Sequence, residues 1–186
     1  MNKILKLTIV LFLVCAVVAG VLGGVNELTK DTIAEQQRLK TERAYAEVLK
    51  SSGYETVDFD KNANPTVDSV SVCTGGEGHI VMTTFSGAQG SITMVVGVDK
   101  ELKCSGISII KHSETSGLGA NAASSSEVGV RFRDQFLGQD GSIAMKKAGG
   151  SIDALAGATV TSSSITNAVS VSIEAVSLLC QGGNQT

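Results

Sequence analysis

Ser91-Ile92-Thr93-Met94-Val95-Val96-Gly97-Val98 decides the architecture of most of this chain. Successive side chains of an extended segment point to opposite faces, so Ile92, Met94, Val96 and Val98 share one side and Thr93, Val95 and Gly97 the other. One face is continuously apolar and the other mixed, the pattern of a half-buried sheet. The β-branched runs Val67–Cys73, His79–Phe85 and Gly106–Lys111, set apart by Gly-rich turns, read as its neighbouring strands. Beyond them the spacing becomes helical. Ser125 or Ser126 can cap a helix Glu127–Leu137 with Val128, Phe132 and Phe136 on one face and Gly138 at its end. A second helix, from about Ser163 to Cys180, carries Ile165, Val169, Ile173, Val176 and Cys180 as a buried stripe, with Gly182 and Gly183 as its stop. No internal repeat is visible, so residues 54–186 read as a single α+β domain with a mainly antiparallel sheet and packed helices.

The N-terminal part has a different texture. From Leu7 to Val25 there is no charge, and about 20 apolar residues span a bilayer core as a helix, so residues 1–25 form a transmembrane anchor. Lys3 and Lys6 precede the run while Glu27, Lys30 and Asp31 follow it with mixed sign, which leaves the N-terminus in the cytoplasm and the rest of the chain outside. A cleaved signal peptide is the alternative, but its apolar region is usually shorter, and here the run continues past the small residues Ala16–Gly20. Cys15 is a poor lipoprotein signal because Val14 stands where a small residue is wanted. Residues 26–53 read as a helical stalk: Asn26 to Lys50 has no Gly or Pro, its stripe of Ile33, Gln36, Gln37, Lys40 and Ala44 is only weakly apolar, and Gly53 can stop it. Gly20, Gly23 and Gly24 leave a close-approach face suited to packing against other membrane subunits.

Composition removes several classes of function. A formal net charge of -3 over 186 residues offers no basic field for a phosphate backbone, so nucleic acid is not an expected partner. His79 and His112, the two histidines, stand at no metal-ligand spacing, and Cys15, Cys73, Cys104 and Cys180 contain no C-x-x-C, so no metal site is expected. A disulfide among the last three stays open, although three cannot all pair within one chain and buried free thiols are the commoner state. No G-x-S-x-G elbow supports a serine hydrolase.

The chemistry concentrates in Asp153-Ala154-Leu155-Ala156-Gly157-Ala158-Thr159-Val160-Thr161-Ser162. Gly157 and Ala158 let a group approach the backbone, hydroxyl residues follow, and a helix N-terminus presents unpaired N–H groups and a positive dipole end, which together can hold a phosphate. An ordinary glycine turn with a Ser cap accounts for the same residues, and on that reading the chain is a membrane-tethered binding module without redox chemistry.

Two motifs decide between these. Asp153 to Thr159 resembles the flavinylation motif of FMN-binding domains, an Asp, two variable residues, Ser or Thr, then Gly-Ala-Thr, and His112-Ser113-Glu114-Thr115-Ser116-Gly117-Leu118-Gly119 is similar to the family's His-x-Glu-Thr-Pro-Gly-Leu-Gly loop. Together with the anchor, Asn26-Glu27-Leu28-Thr29 and Phe132-Arg133-Asp134-Gln135-Phe136, they make nearly the whole chain resemble G subunits of Rnf electron-transport complexes. The C subunit of the sodium-translocating NADH:quinone reductase shares the architecture and is the alternative.

The resemblance implies FMN joined through its phosphate to Thr159 by a flavin transferase that recognises Asp153. It puts Gly157, Ala158, Thr161 and Ser162 around the phosphate, and Glu114, Thr115, Gly117, Leu118 and Gly119 along the isoalloxazine. The implied function is a non-autonomous redox subunit, partnered by the membrane and redox subunits of a complex that couples ferredoxin:NAD electron transfer to Na+ or H+ translocation. Its FMN domain lies on the exterior face, and Thr159 is an attachment point, not a catalytic nucleophile. Ala156 replaces the motif's Ser or Thr, removing a hydroxyl near the phosphate, and Ser116 replaces Pro, which would have fixed the loop's φ.

Overall fold

The computed structural model describes residues 3–57, 59, 64–75 and 77–182. By backbone contacts the chain divides into two compact units, Met1–Lys40 and Thr41–Thr186. One helix, α1 (Lys3–Val48), supplies nearly all of the first unit and the start of the second. Its N-terminal part is long and apolar enough to cross a membrane, and the leucines, valines and isoleucines from Ile4 to Val25 are exposed.

The second unit is built on five antiparallel strands in sequence order, β1 (Tyr54–Val57), β2 (Val67–Cys73), β3 (Gly78–Ser86), β4 (Ser91–Asp99) and β5 (Cys104–His112). A short 3-10 turn (Gly119–Ala123), α2 (Glu127–Asp134) and α3 (Thr159–Gly182) follow. The alternation expected for β4 holds, with Met94, Val96 and Val98 joining Ile165, Val169, Ile173 and Val176 of α3 in the main core. Val95 on the opposite face is equally buried. The expected half-buried sheet is therefore covered on both sides at this strand, because Val95 packs with Cys73, Ile80 and the last turns of α1, where Ala44 and Val48 are 4% and 3% exposed.

That second core explains where α1 stops. The helix ends at Val48, not at Gly53, and the Val48 carbonyl accepts a hydrogen bond from Ser105 Oγ at 2.8 Å. Gly97 makes the approach possible, since a Cβ there would stand 2.8 Å from the Val48 carbonyl oxygen. Ser108 Oγ donates to Glu47 Oε2 at 2.7 Å, and the Tyr45 and Tyr54 rings meet edge to face at 5.2 Å. Of the weak stripe read from the stalk, Ala44 is buried and Ile33, Gln36, Gln37 and Lys40 are exposed.

The helices of the main core depart from the sequence reading at their ends. Ser126 caps α2 by accepting from Gly129 N at 3.3 Å, and Phe132 and Phe136 are buried with their rings edge to face, but Val128 is exposed. α3 is rich in β-branched and Ser residues of low helix propensity, so its stability comes from burial against the sheet. Buried hydroxyls on it are satisfied by the preceding turn: Thr166 donates to Ser162 O at 2.9 Å and Ser172 to Ala168 O at 2.7 Å. Cys180 is exposed, and Cys73 and Cys104 are buried free thiols; burial pushes the Cys104 thiol up to about 12. α3 runs through Gly182, and Gly183 lies outside the described residues.

Because Ala44 and Val48 belong to a core, a fragment starting at Thr41 should be more stable than one starting at Gly53 by about 3 kcal/mol, the usual scale for removing well-packed apolar side chains. Chemical denaturation of the two fragments measures this; equal midpoints would show that the end of α1 contributes no packing.

Candidate functional site

α3 begins at Thr159, four residues before the sequence reading placed it. The cause is the turn before it. Gly157 takes φ +71°, a left-handed conformation open to glycine, and the Ala158 carbonyl already accepts the first helical hydrogen bond, from Ser162 N at 3.0 Å. Ser162 Oγ locks the turn from inside, accepting from Leu155 N at 3.0 Å and donating to Ala158 O at 2.9 Å. Thr159 is consequently the first helical residue and is exposed. The N–H groups of Thr159, Val160 and Thr161 have no hydrogen-bond partner among the described residues, as the start of a helix requires.

These N–H groups border a cavity of about 300 Å³. Three chain segments wall it: Gly157–Thr161, the loop after β5, and the β3–β4 hairpin tip. Of the residues expected at the site, the structure brings together Gly157, Ala158, Thr159 and Thr161 from the first segment and Glu114, Thr115, Leu118 and Gly119 from the second. Gly117 (φ +79°) shapes the second loop without lining the cavity. Leu118 packs so closely on Gly157 that a Cβ there would lie 2.9 Å from Leu118 Cδ2. Leu118 and Val160 leave apolar surface at the mouth, 43% and 60% exposed.

Two expected phosphate contacts are placed differently. Ser162 is wholly buried, and its hydroxyl is committed to the turn. Thr161 is 1% exposed and gives its hydroxyl proton to Glu114 Oε2 at 2.6 Å. Glu114 is likewise buried, and its Oε1 accepts from Gln89 N at 3.1 Å. Burial pushes the Glu114 carboxyl up, but hydrogen bonds from Thr161 and from the N–H groups of Gln89, Ala88 and Gly90 outweigh it and hold the group below its ordinary value. The hairpin tip Gly87–Gly90 was not singled out by sequence; its residues look like any Gly-rich turn, and the Glu114 contact that recruits them joins residues 25 positions apart.

Asp153 stands outside this cavity. Its carboxylate pairs with Lys146, and Gln135 holds its backbone, Oε1 accepting from Asp153 N at 2.7 Å and Nε2 donating to Asp153 O at 3.4 Å. With Ala154–Ala156 it borders a second, open pocket of about 500 Å³ against Arg131 and Gln135 of the α2 region.

A three-sided cavity of this size, with unpaired helix N–H groups, an exposed hydroxyl and apolar surface at its mouth, fits a phosphorylated aromatic ligand such as FMN. Residues 87–174 match the model of the FMN-binding domain, and residues 1–48 match that of the RnfG N-terminal region. The G subunit of the Na(+)-translocating ferredoxin:NAD(+) oxidoreductase complex of Acetobacterium woodii is 32% identical, over 92% of this chain and 90% of that protein. The chain belongs to the Rnf G-subunit family. The G subunit of the ion-translocating oxidoreductase complex of Methanosarcina acetivorans is 28% identical over 95% and 96% of the two chains, and that of Escherichia coli K12 28% over 91% and 89%. Like the family models, these similarities run from the apolar helix into the domain that contains the cavity.

The Glu114 environment predicts an acid dependence of folding. A carboxyl whose folded pKa is lowered contributes stability that is fully present above its unfolded value and is lost as pH falls through the folded one. Thermal unfolding from pH 6 down to pH 3 should therefore lose stability more steeply for the parent than for Glu114→Gln, which has no proton to take up. Parallel profiles would place the acid sensitivity elsewhere.

Proposed function

We propose that the chain is the FMN-carrying electron-transfer subunit of an Rnf-type complex, with the flavin attached covalently at Thr159. The observation that carries this reading is the placement of Thr159: an exposed hydroxyl on the first residue of α3, in the wall of the cavity, beside three N–H groups without partners. A phosphate ester at this oxygen would meet the helix N-terminus, whose dipole favours negative charge. The bond formed is Thr159 Oγ1 to phosphorus. A flavin transferase would supply the phosphate as an activated anhydride, whose leaving group takes the electron pair of the broken P–O bond while Thr159 gives up its hydroxyl proton. Asp153, exposed beside the open pocket at α2, is the group such a transferase would read.

When bound, FMN supplies one- and two-electron transfer. This chain's own residues do the rest. Leu118 and Val160 offer apolar surface to a ring, and the helix N–H groups would take the phosphate charge. The Acetobacterium relative is named for Na+ translocation coupled to ferredoxin and NAD+, and the corresponding role here is a relay between redox centres of a complex that moves Na+ or H+. Its partners are the other membrane and redox subunits. Residues 1–25 anchor the chain in the cytoplasmic membrane, 26–53 lead out of it, and 54–186 hold the flavin on the exterior face; Lys3 and Lys6 ahead of the apolar run support that orientation.

Thr159→Val removes the hydroxyl while nearly keeping the shape. Because Ser162 and Ala158 still close the turn, the variant should fold with parent-like stability yet show no in-gel flavin fluorescence after denaturing electrophoresis of protein co-expressed with a flavin transferase. A fluorescent Thr159→Val band would rule out this threonine. For orientation, Gln36→Cys in a Cys180→Ser background should react with an impermeant maleimide on whole cells; protection until lysis would reverse the topology.

A further inference from the structure

Glu114 has a second feature that the flavin reading does not use: its carboxylate is the meeting point of three chain segments. Oε1 accepts from Gln89 N at 3.1 Å, and Oε2 accepts from Thr161 Oγ1 at 2.6 Å. The space it occupies is left free by glycines of two segments. A Cβ on Gly87 would lie 2.2 Å from Oε1, and one on Gly119 would lie 2.4 Å from Oε2 and 2.7 Å from Thr161 Oγ1. Among the described residues no Lys, Arg or His forms an ion pair with it.

We infer that Glu114 is the positioning residue of the attachment site: its buried carboxylate ties the β3–β4 hairpin tip to the first turn of α3 and thereby sets where the Thr159 hydroxyl points. This role deepens the Thr159 proposal and rests on it for its functional meaning. A buried carboxylate held only by neutral donors depends on every one of them, because each donor lost leaves charge without hydrogen-bonded compensation. Thr161 lies two residues after Thr159 in the same helical turn, so moving Thr161 Oγ1 relative to the hairpin moves the attachment oxygen with it. Among the described residues no hydrogen bond joins Glu114 to Thr159, so its tie to the attachment site runs through Thr161. The Thr161 proton points at the carboxylate, which leaves the anion-facing donors of this turn to the backbone.

The test uses the full-length chain with Glu114→Ala, Thr161→Val, Thr161→Ser and the Glu114→Ala/Thr161→Val pair, each co-expressed with a flavin transferase and followed by intact mass. Hydrogen exchange is recorded on the flavin-free proteins. Glu114→Ala and Thr161→Val should each slow flavin uptake about tenfold or more, the pair no further than Glu114→Ala alone, and Thr161→Ser should return to near the parent rate. In the flavin-free proteins, the hydrogen-bonded amides of Gln89 and Ser162 should exchange about tenfold faster in both single variants, with Val81 and Val96 at parent protection. Parent-like uptake in Glu114→Ala or Thr161→Val, or Thr161→Ser as slow as Thr161→Val, would overturn the role. If the parent itself takes up no flavin, the Thr159 reading fails and exchange alone decides: faster exchange at Gln89 in Thr161→Val upholds the tie, and unchanged exchange removes it.

Discussion

Everything at the site depends on a turn closed by one hydroxyl. Ser162 Oγ holds Leu155 N and the Ala158 carbonyl together, and Gly157 alone in that turn has a left-handed φ. With that turn closed, α3 starts at Thr159, and its first three residues line the cavity with N–H groups that have no partner among the described residues. Starting the helix at Ser163, where propensity and a Ser cap would allow it, would place Thr159 in the loop and remove the coincidence of hydroxyl and helix terminus. The buried end of Ser162 makes the earlier start the better satisfied one, since its hydroxyl is the acceptor for Leu155 N.

The sheet gives this turn a fixed frame. Antiparallel order along the chain puts the β3–β4 hairpin tip and the end of β5 at the same edge, because Ser86 pairs with Ser91 and Ile92 with His112. The tip and the loop after β5 are therefore neighbours before any side chain joins them, and α3 crosses the sheet so that its first turn meets both. Burial on the second face, by the last turns of α1, makes β4 an interior strand on both sides, which fits the low exposure of Val95 and Val96 alike. The last turns of α1 are thus part of the packing of the domain, and Ser105 and Gly97 are where that packing needs a hydroxyl donor and the absence of a side chain.

The site's electrostatics follow from the same arrangement. An anion at the start of α3 would find backbone N–H groups and, among the described residues, no cationic side chain in the cavity wall, while a carboxylate stands behind the first turn, already compensated by Thr161 and Gln89 N. Such a place offers an anion dipoles where a phosphate binder built on charge would use Lys or Arg.

Much of this was present in the one-dimensional pattern. The period-2 run Ile92–Val98 and its neighbours specified β2 to β5 nearly to the residue, since side-chain alternation is local and the hairpins between them are short, while the four-residue β1 was too short to show a pattern. The apolar run before Val25 and the Gly157-Ala158-Thr159 turn were equally plain, because hydrocarbon length and glycine geometry are written in adjacent residues. What sequence could not supply were pairings between distant positions: Glu114 with Thr161 and Gln89, Val48 with Ser105, and Val95 beneath α1. The family resemblance made Glu114 a ring-lining acid and Ser162 a phosphate contact, and the residue pattern made Ala44 part of a stalk. Only the closed tertiary structure assigned the first two to holding segments together and the third to a core, because which polar atoms become buried, and with whom, is settled by packing and not by neighbours along the chain.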